Sequence, residues 1–391
     1  MKTSAFLYPW DVVGDPEAAA RVAGLGVRSV TLAAAYHSTR ALTPRHPRHR
    51  IVTAEHAALL YPSALATRDG NGEGRPLRPY AAGAWAPGDA HGEASAALRD
   101  AGLEVHTWVV LAHNSRLGAE RPDTSVVNAY GDRYPWAPCI AQPATRAYLV
   151  ALAAEAAVRP GASGTELESL GWYGLAHLHA HDKIAGVPLG DAGQYLMSLC
   201  FCPDCRAGYI ASGLDPDGLA DTVRRALKPV WRGTEQSDGG WAAVEKLLGA
   251  ERAAATRAWR DATARGLQEE AVSAVRAAAP HDFQVLLHAD PVSYHCGANA
   301  GVDPAHILSV ADGVVVPCAG GTSLLAPFAD AGGSAVLAAN LTVVSAMGGS
   351  PATLADDAAR AADHGATELR LYHAGLASDA DLDLVREGLA P

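Results

Sequence analysis

The 391-residue chain has no uncharged apolar run near the roughly 20 residues that a bilayer-crossing helix needs. Nor does it have a cluster of basic residues on a basic background. Lys and Arg total 31 against 42 Asp and Glu, for a net charge of −11, which argues against a nucleic-acid backbone as partner. No Gly-x-Gly-x-x-Gly follows the first strand-like run, so a dinucleotide site has no phosphate loop. Gly-x-Ser-x-Gly and His-Glu-x-x-His are also absent, which removes the serine-elbow hydrolases and the helix-borne zinc proteases. Charged residues are only 19% and hydrophobic ones 49%, a balance that buries a core and excludes global disorder. The opening stretch MKTSAFLYPWDVVGDPE has an apolar part broken by Pro9 and Asp11, too short for a secretory signal, so the cytoplasm is the expected compartment.

What is present is a recurring pattern. Short apolar, β-branched runs fall at 5–10, 27–36, 104–114, 165–172, 283–290, 312–318, 334–340 and 368–375, most of them separated by Ala-rich helical stretches. Near-continuous apolar strands imply burial on both faces, hence a parallel sheet covered by helices. Eight such units predict an α/β fold, a (β/α)₈ TIM barrel formed by residues 1–391 as one domain. Long insertions follow strand two, at about 37–85, and strand four, where 206–279 reads as helical with one interruption near 233–240. An open doubly wound sheet is the alternative, weakened by the missing dinucleotide fingerprint.

Six cysteines occur, and three fall in CFCPDC as Cys200, Cys202 and Cys205. A C-x-C-x-x-C run without an export signal points to a metal and not to disulfides. Thiolates at this spacing can wrap one tetrahedral Zn²⁺. Cys139, in the Pro-rich loop WAPCIAQP, is the expected fourth ligand, with Cys296 and then a His as alternatives. Four thiolates leave no open position, so such a zinc would be structural. An iron–sulfur cluster and three free thiols are the competing readings.

These residues carry a resemblance. CFCPDC after the strand-like TELESLGW, with YPWAPCIAQPATRAY before the preceding helix, resembles the family-42 β-galactosidases and related barrel glycosidases. That family places a C-x-C-x-x-C run after strand four and a further zinc cysteine before the preceding helix. The likeness covers about residues 104–210 and the general barrel pattern. It implies a general acid/base Glu at the end of strand four, where Glu168 matches by position, although Leu167 stands where the family has Asn. It also implies a nucleophilic Glu at the end of strand seven. There SAVLAANLTVV offers Asn340 and no carboxylate, so a retaining mechanism does not carry over.

A barrel collects its chemistry at the C-terminal ends of its strands. Glu168, beside Trp172 and Tyr173, would stand partly desolvated at that mouth, suited to protonating a glycosidic oxygen. Glycoside cleavage needs a second carboxylate, and Asp290 in LLHADP is the leading partner, with Asp11 and Glu55 in reserve. Asp290 precedes Pro291, so a turn-capping role competes. Trp10, Asp11, His37, His113, Asn114, Trp172, Tyr173, His288, Asn340 and His373 lie at or near strand ends and are the expected substrate-binding set. His177, His179 and His181 form H-x-H-x-H, which on a strand would face one way and hold a metal or a polyol, and otherwise are solvated loop residues. STRALTPRHPRHR (38–50) would grip an anionic substituent or simply form an exposed loop. The expected function is glycoside hydrolysis on a carbohydrate or glycoconjugate, with zinc as cofactor and no nucleic-acid or membrane partner. A homo-oligomer is compatible with it. The alternatives are a carbohydrate-binding barrel without a nucleophile and a metal-dependent lyase or isomerase.

Overall fold

The computed structural model describes residues 1–176, 183–184, 186–235 and 237–390. Eight parallel strands close into a barrel: β1 Lys2–Leu7, β2 Ser29–Tyr36, β3 Glu104–Val110, β4 Gly164–Glu168, β5 Gln284–Asp290, β6 Gly313–Pro317, β7 Val336–Thr342 and β8 Glu368–Tyr372. Each pairs with its sequence neighbour, and β1 pairs with both β2 and β8, with Ser4 opposite Ser29 on one side and Arg370 on the other. The outer layer is one helix after each strand: α1 Ala18–Ala23, α2 Ala90–Asp100, α3 Pro143–Ala157, α4 Ala250–Ala278, α5 Pro304–Val310, α6 Ala326–Ala331, α7 Leu354–Asp363 and α8 Asp379–Leu389. Both faces of the sheet are therefore covered, and every residue of β2 is buried. Among the described residues, no helix is long and apolar enough to cross a membrane.

All eight expected strands form, but several end earlier than the apolar runs do. β1 stops at Leu7 because Pro9 opens a 3₁₀ turn, Pro9–Asp11, where the strand ladder would need an N–H. β4 stops at Glu168 because Ser169 takes φ 59°, a left-handed conformation that no strand accommodates. Between β4 and α4 lie helices Gly190–Met197, Pro203–Ala211, Pro216–Trp231 and Gly240–Leu248. The expected interruption near 233–240 is present. Two further breaks occur, where Asp215 caps a new helix through the N–H groups of residues 217 and 218 and where Gly249 takes φ 83°.

Between β2 and α2 the chain forms an antiparallel hairpin, Thr39–Leu42 with Ile51–Ala54. Arg45, at its turn, ties it to the β8–α8 loop by donating to the carbonyls of Ala374, at 2.7 Å, and Ala377. Asp11 lies beside this anchor. Its Oδ2 accepts the N–H of Tyr8 at 2.8 Å, and its Oδ1 is shielded from solvent without a partner. Desolvation raises its pKa to about 7 against the opposing pull of the Tyr8 N–H and the Arg45 charge.

The interior of the barrel is polar at one level. Arg370, fully buried, donates Nε to Glu166 Oε1 at 2.6 Å and Nη1 to Glu368 Oε2 at 2.8 Å. Thr31 donates to the same Glu166 oxygen at 3.0 Å, and His106 Nδ1 and His288 Nε2 stand 3.7 and 3.5 Å from its carboxylate. Burial opposes the charge on Glu166, but the Arg370 guanidinium together with His106 and His288 outweighs it and holds the carboxyl well below its usual range. Above this level the pleat turns Phe6, Trp108, Glu168 and Tyr372 toward the mouth, each two residues on from a position one level deeper.

Two predictions follow from these charges. Arg370→Met leaves two buried carboxylates without their cation, and denaturant titration should show a loss of roughly 3–5 kcal/mol. Asp11 has a folded pKa above its unfolded one, so its contribution is full below pH 4 and is lost as pH rises toward 7. Asp11→Asn should flatten the stability profile between those limits in melting experiments. An unchanged slope refutes the assignment.

Candidate functional site

The barrel mouth encloses a cavity of about 620 Å³. Glu168, the last residue of β4, enters it, and its Oε2 accepts a 2.6 Å hydrogen bond from Trp108 Nε1 on β3. Phe6 packs edge-on against Trp108 at 4.8 Å and fixes the indole that presents this donor. Among the described residues Glu168 is the one carboxylate lining the cavity.

Tyrosines build the neighbouring wall. Tyr8 donates to the Tyr36 hydroxyl at 3.0 Å, and Tyr372 closes the same side. Burial first, and then nearby charge including that of Glu168, push the pKa values of all three upward, so they stay protonated at neutral pH. Opposite lie His288, from β5, and Asn340, from β7, whose Oδ1 is shielded and without a partner. His288 connects the cavity to the buried Glu166 beneath it.

Of the expected site residues, the structure brings Glu168, His37, Tyr173, His288 and Asn340 to one cavity. The others have different places. Trp10 is buried in the 3₁₀ turn and stacks on Tyr8 at 4.6 Å, behind the wall. Asp11 belongs to the Arg45 anchor. His113 stacks on Tyr173 at 4.4 Å and backs it. Asn114 caps helix Ser115–Glu120 through the Leu117 N–H at 3.0 Å. Trp172 turns from the mouth, donating to the Arg260 carbonyl at 3.0 Å beneath that residue's guanidinium. His373 is fully buried, stacked on Tyr8 at 4.3 Å, and burial lowers its pKa to about 3, so it is neutral.

Asp290 does not line the cavity. Its Oδ1 accepts the Val292 N–H at 2.8 Å, and Oδ2 lies 3.1 Å from His295 Nδ1. That is the turn-capping geometry, and it fixes the loop that carries Ala298 and Asn299 to the cavity. His177, His179 and His181 lie outside the described residues. Sequence reasoning placed Tyr36, Trp108 and Tyr372 at or near strand ends without counting them in the expected substrate-binding set, and did not single out Tyr8. The signal was the pleat: Phe6 to Tyr8, His106 to Trp108 and Arg370 to Tyr372 are two-residue steps along one interior face.

The cysteines form a second site. Cys139, just after strand segment Arg133–Pro138, meets Cys200, Cys202 and Cys205, the last two at the start of helix Pro203–Ala211. All four sulfurs are buried and lie within 4.8 Å of one another, with Cys139 Sγ 3.6 Å from Cys202 Sγ and 3.5 Å from Cys205 Sγ. None is in a disulfide. Hydrogen bonding from Cys139 and its neighbours pulls Cys202 well below the usual thiol range, while Cys139 is pushed above it. Backbone N–H groups of Val127 and Cys202 point at Cys200 Sγ, each at 3.4 Å. Four such cysteines can hold a metal. Metal–sulfur bonds of about 2.3 Å place tetrahedral sulfurs about 3.8 Å apart, close to the separations here. Cys296 is elsewhere, accepting from Arg260 at 2.9 Å.

No family model matches the chain, and no curated protein matches its sequence. Solved structures do resemble the fold. The glycoside hydrolase domain of PgaB (BpsB) from Bordetella bronchiseptica superposes with TM-score 0.57 at 16% identity, over 100% of this chain and 99% of that one. The α-L-fucosidase isoenzyme 2 from Paenibacillus thiaminolyticus gives 0.57 at 11%, over 100% of this chain and 49% of that one. A family-42 β-galactosidase from G. stearothermophilus gives 0.54 at 11%, over 99% and 56%. The chain thus spans about half the length of the fucosidase and of the galactosidase. At these identities the likeness is one of fold alone, a barrel of the kind these glycoside hydrolases have.

Proposed function

We propose that the chain is a glycoside hydrolase that cleaves a sugar or glycoconjugate at the barrel mouth, with Glu168 as general acid. The observation that carries this reading is the placing of Glu168 at the C-terminal end of β4, inside an aromatic-walled cavity and oriented by Trp108. Glu168 donates its proton to the glycosidic oxygen as the bond to the anomeric carbon breaks, and a water molecule adds to that carbon, its released proton restoring the acid. The protonated hydroxyls of Tyr36 and Tyr372 donate to sugar oxygens, the Tyr8 proton being held by Tyr36, and the ring of Tyr173 offers an apolar face to the sugar. His288 and Asn340 hold hydroxyls on the far wall. Asp290 serves this reaction from outside, by fixing the β5 exit loop.

A second reading, a carbohydrate-binding barrel without turnover, is favoured by one observation: no second carboxylate lines the cavity among the described residues. The cysteine cluster fits a zinc ion in both readings. Zn²⁺ would be held by Cys139, Cys200, Cys202 and Cys205, and with no position left for water its part is to clip the loops together.

Turnover of a panel of alkyl and aryl glycosides tests the acid. Glu168→Gln should lower the rate on alkyl glycosides by about 10²–10⁴-fold, and less on dinitrophenyl glycosides, whose leaving group needs little protonation. Equal loss on both, or none, removes Glu168 from that role. Binding without turnover for every glycoside favours the second reading. Metal analysis should return one zinc per chain, and Cys205→Ser should lose it and lower the melting temperature. Protein without zinc, whose four thiols titrate freely in the native state, contradicts the clip.

A further inference from the structure

We propose that the cavity is shaped for the glycoside of an apolar alcohol or phenol, with the sugar on the cavity floor and the apolar aglycone on a lip made by Leu42, Ile51 and Met347. The sugar's place rests on the glycosidase reading above, whereas the apolar lip stands on its own geometry.

The wall changes character with depth. Around Glu168 nearly every contributor carries a hydrogen-bonding group: Tyr8, Tyr36, His288 and Asn340. Toward solvent the lining passes to the hairpin on one side and to the segment after β7 on the other. Leu42, from the hairpin, is 52% exposed, and Met347, from the opposite segment, is 51% exposed. Ile51, 57% exposed, is the cross-strand partner of Leu42, so the two side chains share one face and extend the lip outward.

This exposure is a matter of register. The next pair along the hairpin, Ala41 opposite Val52, is buried, so the hairpin already has an apolar inner face. Leu42 and Ile51 stand on the outer one, where a strand in water normally carries polar residues. Apolar side chains gathered around a cavity mouth mark a binding groove more than scattered surface leucines do. None of the three offers a hydrogen bond, which a second sugar unit at this place would require. An alkyl or aryl group requires only apolar contact, and Met347 adapts to its outline. Arg40, two residues before Leu42 on the same outer face and also lining the cavity, is the charged neighbour of this lip.

Calorimetric titration of the full chain with paired methyl and octyl β-galactosides, β-glucosides and α-fucosides tests the proposal without turnover. For the sugar that binds, the octyl glycoside should bind at least tenfold more tightly than the methyl one. Leu42→Asp and Met347→Asp should each lower octyl affinity at least fivefold more than methyl affinity. Equal affinities for the two, or a preference that survives both substitutions, overturns the lip. The dye 1-anilinonaphthalene-8-sulfonate gives a reading that needs no sugar. One dye per chain should bind, octanol should displace it, and both variants should lose it; failure of that pattern also overturns the lip. Co-sedimentation with phosphatidylcholine vesicles carrying dodecyl glycoside identifies a lipid-borne aglycone, while octyl preference without co-sedimentation identifies a soluble one. Octyl preference in a chain that cleaves no glycoside contradicts the hydrolytic reading alone.

Discussion

The barrel depends on a charge pair at its centre. Glu166 on β4 and Arg370 on β8 are far apart around the ring and 204 residues apart in sequence, and they meet at 2.6 Å where no water reaches. Neither is tolerable alone in that place, because an unpaired buried charge costs several kcal/mol. Together they set the distance across the barrel. The same pair levels the site above it. His288 stands between Glu166 and the cavity, and Glu168 is the next inward residue on the strand that holds Glu166. The reacting carboxylate is thus positioned by a strand whose height and rotation are already fixed by an ion pair one layer deeper.

The cavity divides its labour accordingly. Its floor is held by rigid strands, with Trp108 braced by Phe6 and aimed at Glu168. Its lip is held by a hairpin whose buried inner face, Ala41, Val52 and Ala54, belongs to one core cluster with Phe6, Tyr8 and Tyr36, and Arg45 adds a tie by binding carbonyls of the β8 exit loop. A floor on strands and a lip on loops is how barrels keep their chemistry constant while recognition changes.

Much of the fold was legible because a strand buried on both faces leaves a run of apolar residues that few other structures produce. Strand ends were less legible, since they follow from local conformation: Pro9 diverts β1 and Ser169 diverts β4. The cysteine cluster could be read because C-x-C-x-x-C has few innocent explanations. Glu168 could be read from its place at a strand end. Asp290 and Asp11 occupy comparable places, yet their oxygens are taken by backbone N–H groups of Val292 and Tyr8, a fate decided by loop shape. The tyrosine wall was written in the two-residue period of the strands and was masked by the more conspicuous histidines beside it. The hairpin was hidden by the arginines that flank it in sequence, since a charged loop and an apolar lip share one segment.

The cysteine cluster has a consequence for how the molecule comes into being. Its four sulfurs belong to residues 139 and 200–205, all of which leave the ribosome before β5, β6, β7 and β8 are made. A metal captured there during translation would staple the loops after β3 and β4, while Glu166 still awaits a guanidinium not yet synthesised. The nascent chain would then acquire part of its rim before its heart, and ring closure would be the moment at which the waiting carboxylate is neutralised.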